Sequence, residues 1–290
     1  MGFDKSSVRL LLYAKKHKVS FDSVITIGRQ KLLLKKTVLK KILQEFNVPF
    51  SDNTLDSIIN ANEGYAESLL KLFGATITDS LDFSDYEGAS FIHDLNNILP
   101  SNLEKKYSLV IDGGSLEHIF NFPTAIKNCM SMIKVGGHFI GITPVNNLMG
   151  HGFYQFTPEL FYRIFSPGNG FQVEKMLIFE IKRNPVFYEV ADPESIAQRV
   201  MLINNNYTYL FVISKRISDL PIFLSNPQQS DYVTMWKGSK YNKREYRIKK
   251  IIPKKLILFV RPLIKMIMNR PKRGFSKLFY KKVNIITHKD

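Results

Sequence analysis

Tyr107-Ser-Leu-Val-Ile-Asp112-Gly-Gly-Ser-Leu-Glu117-His118-Ile-Phe120 is followed by a helical run and then by Ile133-Lys-Val-Gly136-Gly137-His-Phe-Ile-Gly-Ile-Thr143-Pro144. Short apolar runs bounded by turn residues read as strands buried on both faces. The stretch therefore predicts a buried strand, a polar loop at its carboxyl end, a helix, a glycine turn and a second buried strand. Ligands of open α/β sheets bind beyond the carboxyl ends of the strands. Residues 112–118 are accordingly where chemistry is expected.

Working outward, Val24-Ile25-Thr26-Ile27-Gly28 reads as a strand closing at a glycine. The segments 75–82 and 90–94 read as strands that each end in an acid, Asp82 and Asp94. Helical periodicity marks 5–18, 32–46 and 65–73, the last stopped by Gly74. Thr157-Pro158-Glu159 opens a further helix, with Thr157 as N-cap and proline in the first turn. The segments 171–181 and 207–214 read as a closing strand pair, with a helix over 193–199 between them. Strands alternating with helices at this spacing predict a doubly wound, mostly parallel α/β sheet with an antiparallel strand at its end.

Element by element, Tyr107 to Pro144 resembles the second half of class I S-adenosylmethionine-dependent methyltransferases. Leu116-Glu117-His118 matches that superfamily's Leu-Glu-His loop, and Ile133-Lys134-Val135-Gly136-Gly137 matches its Leu-Lys-Pro-Gly-Gly, with Val135 in the place of proline. The likeness extends over Val24 to Ser214 and is greatest to type 11 methyltransferases of polysaccharide gene clusters. It implies a Rossmann-like, mostly parallel seven-stranded sheet and S-adenosyl-L-methionine as cofactor. As a strand-terminal acid alone, Asp82 reads as a solvated loop aspartate; the resemblance makes it the acceptor for ribose hydroxyls. Asp94 then takes the adenine amino group, and Asp112 joins the cofactor-binding set. The first glycine-rich loop departs from the superfamily: Thr26 stands for its acid and Gln30 for its second glycine, leaving Gly28. Arg29 and Gln30 are then expected to hold the methionine carboxylate, Arg29 by its bidentate fork. A further departure is some 30 extra residues between Gly28 and the helix that leads to Asp82.

Methyl transfer to a hydroxyl needs a general base near neutral pKa, which histidine supplies without a large shift. His118 and His151 are the candidates, with Glu117 placed to orient one of them. The Glu-His imidazole can instead brace its loop. His151, between Gly150 and Gly152 and close to Tyr154 and Gln155, has the more substrate-facing context. The six histidines show no metal-ligand spacing, and no hydrolase nucleophile motif occurs. The lone cysteine, Cys129, falls on an apolar helix face and reads as a buried thiol.

The net charge of +16 is confined to one end. Residues 1–236 balance 23 basic against 23 acidic side chains, whereas 237–290 carry 18 against 2. The division expected is a methyltransferase-like domain at 1–215, a linker at 216–236 rich in Pro, Gln and Ser, and a basic amphipathic, helical extension at 237–290. Between 241 and 283, apolar clusters such as Leu256 to Val260 alternate with cations, and Arg261 and Lys265 interrupt any spanning run. That pattern suits a helix lying in an anionic membrane surface; a surface helix and an RNA-binding segment are the alternatives. Without a secretion signal, a cytoplasmic protein, peripheral at the inner membrane face, is expected. The resemblance implies methyl transfer to a small-molecule, sugar or lipid-linked glycan acceptor. An inactive scaffold of the same fold and an RNA-modifying enzyme are the other readings.

Overall fold

The alternating apolar residues of Tyr107–Asp112 divide between two cores. Leu109 and Ile111 join one buried cluster and Val110 the other, as the two-residue period of a strand covered on both faces requires. A computed structural model of the chain describes residues 2–60, 62–236 and 273–286. In chain order its elements are β1 (Gly2–Phe3), α1 (Lys5–Lys16), β2 (Ser23–Ile27), β3 (Lys31–Leu32), α2 (Lys36–Glu45), α3 (Asp52–Asn60), α4 (Glu67–Leu72), β4 (Ile77–Asp82), β5 (Phe91–Ile92) and β6 (Tyr107–Asp112). There follow α5 (Phe122–Met132), β7 (Ile133–Asn146), α6 (Pro158–Ile164), β8 (Phe171–Glu180), β9 (Phe187–Val190), α7 (Pro193–Ile196), β10 (Thr208–Arg216), α8 (Ser230–Trp236) and β11 (Tyr280–Val283).

The central sheet has nine strands in the order β11-β9-β8-β10-β7-β6-β2-β4-β5. Strands β5, β4, β2, β6 and β7 are mutually parallel, and β10 runs antiparallel to both β7 and β8. This is the doubly wound Rossmann-like class expected, with two strands more than the seven predicted: β9 and β11. From β2 the chain winds outward through β4 and β5, then returns to pair β6 on the other side of β2. That reversal is a topological switch point, and the crevice beyond the carboxyl ends of β2 and β6 is the place such a sheet offers a ligand.

Helices α1 to α4 cover one face of the sheet and α5 and α6 the other. Asp4 caps α1 by accepting from Ser6 and Ser7 N–H at 2.9 and 2.8 Å. The extra residues after Gly28 form α2 and α3, whose Leu39, Ile42, Leu43, Leu55 and Ile58 join the α1 core. Thr157 caps α6 as its sequence predicts, accepting from Leu160 N–H at 3.3 Å. Cys129 is buried on α5.

Two boundaries differ from the sequence expectation. Residues 216–236 are not a bare linker: Ile222 is buried, Ser230 N–H donates to Glu159 at 2.7 Å, and Arg199 pairs with Asp231 of α8 at 2.6 Å. Residues 273–286 are not a helical appendage either. Strand β11 completes the sheet against β9, Tyr280 and Ile285 are buried, and Phe275 stacks on Tyr188 at 4.0 Å between ring centroids. Tyr280 joins one core and Val283 packs against the other, with the exposed Lys281 and Lys282 between them. The predicted amphipathic helix of 241–283 otherwise falls on 237–272, outside the described residues. Among the described residues, no helix is long and apolar enough to cross a membrane.

Candidate functional site

Loops leaving the carboxyl ends of β2, β4, β5, β6 and β7 meet at one edge of the sheet. Ile27 of β2 lies beside Asp112 of β6. Gly28 turns at φ 69°, and its N–H donates to Leu81 O at 2.8 Å, fastening the β2 end to β4. Ser115 Oγ donates to Ile27 O at 2.7 Å, bridging the switch point.

The nine residues predicted for the site have separate fates. Asp82 is half-buried, with Oδ1 accepting from Phe83 N–H at 2.7 Å. Asp94 accepts from the Asn96 N–H and amide at 2.9 and 2.7 Å and from the Asn97 amide at 3.2 Å. Those Asn96 donors hold its carboxyl below the usual carboxylate range. Phe83 and Ile92, adjacent to these acids, are exposed apolar side chains.

Arg29 does not present a free fork. Its Nε donates to Glu67 at 2.6 Å, Nη1 donates to Glu87 O at 2.8 Å, and the guanidinium lies 4.0 Å over the Tyr65 ring. These contacts commit the Nε–H and one Nη1–H and cover the guanidinium face, so the fork on the Nε side is already taken. Gln30 turns inward: its Nε2 donates to Ile27 O at 2.8 Å, and its buried Oε1 has no hydrogen-bond partner. A Cβ on Gly113 would stand 2.6 Å from Gln30 Oε1 and 3.1 Å from Phe3 Cε1. A ligand's end directed at Gly113 therefore meets Gln30 and Phe3 first. Asp112, 1% exposed, braces its own loop by accepting from Ser115 and Leu116 N–H at 2.8 and 3.3 Å. Burial lifts its carboxyl to about 6 against those backbone donors. Asp112 thus uses one carboxyl oxygen to brace its own loop.

Glu117, His118 and His151 are brought together. Glu117 and His118 sit in the short helical turn after β6, and His151 in the loop after β7. Glu117 O accepts from Phe153 and Tyr154 N–H at 2.9 and 3.2 Å, so the second loop hangs directly on the first. Tyr154 Oη donates to Phe120 O at 2.6 Å, and Phe120 packs edge-on to Phe153. Gly152 permits this approach: a Cβ there would lie 2.8 Å from Glu117 O and 3.1 Å from His118 Nδ1. In the same loop Phe156 is buried and Phe153 exposed.

The Glu117 side chain is 0% exposed. Thr143 Oγ1 donates to its Oε2 at 3.3 Å, whereas Oε1 makes no hydrogen bond and stands 3.6 Å from His151 Nε2. Burial first, and the neighbouring Asp112 second, push this carboxyl up to about 8. The two imidazoles have centroids 5.1 Å apart and are both exposed. Burial and then His151 hold the His118 imidazole below its ordinary value. The arrangement is a buried acid with one open oxygen beneath two solvent-facing nitrogen bases. It can orient an imidazole, accept a proton from a bound group, or gather around a cation. The sequence separates His118 from His151 by an entire helix and strand, and the fold brings both beside Glu117.

No family model matches the chain, and no curated protein matches it. Among solved structures, a protein of Bacillus halodurans described as a methyltransferase is similar over 75% of this chain and 100% of its own, at 8% identity and a TM-score of 0.36. The branched-chain polyamine synthase of Thermus thermophilus is similar over 78% of this chain and 61% of its own, at 13% identity and a TM-score of 0.36. The 1,6-didemethyltoxoflavin-N1-methyltransferase of Burkholderia thailandensis is similar over 74% of this chain and 78% of its own, at 11% identity and a TM-score of 0.34. Likenesses this distant concern the general order of elements and carry nothing about the site.

Proposed function

We propose that the protein transfers a methyl group from S-adenosyl-L-methionine to an oxygen or nitrogen of a small-molecule or glycan acceptor. The observation that carries the reading is one shared sheet edge at a switch point. It holds two strand-terminal acids beside exposed apolar side chains, and a Glu-His-His group on the adjoining loops. Asp82 keeps an oxygen that makes no intramolecular hydrogen bond for a ribose hydroxyl, and Phe83 and Ile92 give a base an apolar surface. Gln30 Oε1, buried without a donor, suits an ammonium group, because an unsatisfied buried acceptor costs about 1–3 kcal/mol that a ligand's N–H recovers. When bound, the cofactor supplies an electrophilic methyl group. His151 takes the acceptor's proton, Glu117 orients that imidazole, and Phe120 and Phe153 cover the approach.

A second reading, a scaffold of this fold without cofactor, draws support from the commitment of Arg29 to Glu67 and from Gln30 and Phe3 standing over Gly113. Calorimetric titration with S-adenosylhomocysteine separates the two. Binding that weakens at least about tenfold in Asp82→Ala, the loss of one hydrogen bond involving a charged group, supports the transferase. No heat at high micromolar ligand favours the scaffold. The basic segment 241–283 is proposed to bring the domain to an anionic membrane surface, where a lipid-linked glycan would be met.

A further inference from the structure

We infer that Glu117, His118 and His151 form a binding site for a divalent transition-metal ion, with Zn2+ the best match to the donor set. One ligand atom from each side chain lies within 4.8 Å of the other two. Two imidazoles and a carboxylate are the ligand types that first-row ions such as Zn2+ and Fe2+ take, whereas Mg2+ and Ca2+ prefer oxygen alone.

Independent support comes from the Glu117 carboxyl itself. Its Oε1 is buried, has no hydrogen-bond partner and faces His151 Nε2 at 3.6 Å. Buried polar atoms are nearly always paired, and an exception asks for an absent ion or ligand. The other oxygen is already held by Thr143, as outer partners fix the ligating atom of a metal-bound carboxylate.

Ligands at bond lengths near 2.1 Å around a tetrahedral ion sit about 3.4 Å apart. The present spacing, 3.6 Å for one pair and no more than 4.8 Å for any, therefore needs a contraction of at most about 1.4 Å. The two exposed imidazoles can supply it by rotating about their side-chain bonds while Glu117 stays fixed. Three protein ligands leave a coordination position open toward solvent, the arrangement of a catalytic rather than a structural ion. An acceptor hydroxyl bound there would be polarised by the ion and would release its proton to solvent water, with His151 then serving as a ligand in place of the base assigned to it above. This last role rests on the methyl-transfer reading; binding of the ion does not.

The test uses the full-length protein, stripped with EDTA and titrated with Co2+ by visible absorbance and with Zn2+ by calorimetry. One equivalent of each ion is expected to bind. His118→Ala and His151→Ala should each weaken Co2+ by more than the roughly 10–100-fold that loss of an outer partner causes, with melting temperatures near that of the parent. Glu117→Gln should weaken Co2+ likewise, and His93→Ala, at the residue that directly follows β5, should leave the affinity unchanged. Absence of binding at about 100 micromolar free Zn2+ would overturn the site. So would Co2+ binding that survives loss of both histidines. S-adenosylhomocysteine is titrated in parallel: a protein that takes Co2+ but not this ligand retains the metal site and loses the methyl donor, and the converse result does the opposite.

Discussion

Glu117→Gln tests whether the buried carboxyl opposes folding. Between the ordinary carboxyl value of 4.5 and about 8, the value to which burial and Asp112 lift Glu117, the unfolded chain releases this proton and the folded chain keeps it. A raised folded-state pKa contributes stability that is fully present below the unfolded value and is lost as pH rises through the folded one. The window is therefore about pH 4.5 to 8, with no further loss above it. A shift of roughly 3.5 units at about 1.36 kcal/mol each sets a ceiling near 5 kcal/mol. Asp112, itself lifted to about 6, titrates together with Glu117, so the share that one substitution removes is nearer 3 kcal/mol. Glutamine keeps the shape and the neutral state at every pH. Urea denaturation in EDTA should find parent and variant alike near pH 5, with the variant more stable by about 3 kcal/mol near pH 8.5. Parallel stability curves across the whole window would refute the reasoning, because they would mean that the carboxyl is ionised and satisfied in the fold.

Other consequences follow from the same geometry. Gly152→Ala should cost about 1–3 kcal/mol in denaturant unfolding, since its methyl would stand 2.8 Å from Glu117 O, and it should loosen Co2+ binding by parting the two loops. Phe139→Ala, which empties a fully buried site between β7 and Phe165, should cost about 3–5 kcal/mol. Truncation after Trp236 should lower the melting temperature by on the order of 5–10 °C, because it strips β11, Tyr280 and Ile285 from the cores. Replacing Leu258 and Phe259 with serine should abolish co-sedimentation with anionic liposomes while leaving that temperature unchanged; retained co-sedimentation would remove the interfacial reading of 241–283.

The sheet was legible where one physical signal ruled. Apolar runs ending in Gly28, Asp82, Asp94 and Asp112 announced the parallel strands, and the Thr157-Pro158 pair announced α6. Strand β9 escaped because Phe187-Tyr188-Glu189-Val190 is short and stands next to a loop of charge and proline. Strand β11 escaped because its lysines were read as part of a uniformly basic segment, although its first and last residues, Tyr280 and Val283, pack against the two cores. Charge counted over the final 54 residues obscured a boundary that the pattern of Tyr280 and Val283 marks. Basic residues 237–272 thus join two parts of the folded domain, α8 and the segment that enters β11. At the site, sequence position named the right loops but not the commitments of their side chains. Arg29 is paired with Glu67, and Asp112 with backbone donors, partners that sequence position does not reveal.

Three buried polar side chains at the carboxyl edge separate structure from function. Asp112 is buried, yet its carboxylate is met by consecutive backbone N–H groups, so its environment is complete without any ligand. Gln30 and Glu117 are buried as well: the Gln30 amide nitrogen donates to Ile27 O and one Glu117 oxygen is held by Thr143, and each side chain keeps one oxygen without a partner among the described residues. An apolar side chain at either position would avoid the roughly 1–3 kcal/mol of an unmet buried acceptor, and natural sequences break such local rules chiefly at working sites. The two orphan oxygens lie on opposite sides of the Asp112 loop, one at the end of β2 and the other beside His151. The edge is therefore built to receive donors at two places. A single ligand's ammonium suits the Gln30 oxygen, and only a proton or a cation suits an oxygen that already faces an imidazole nitrogen.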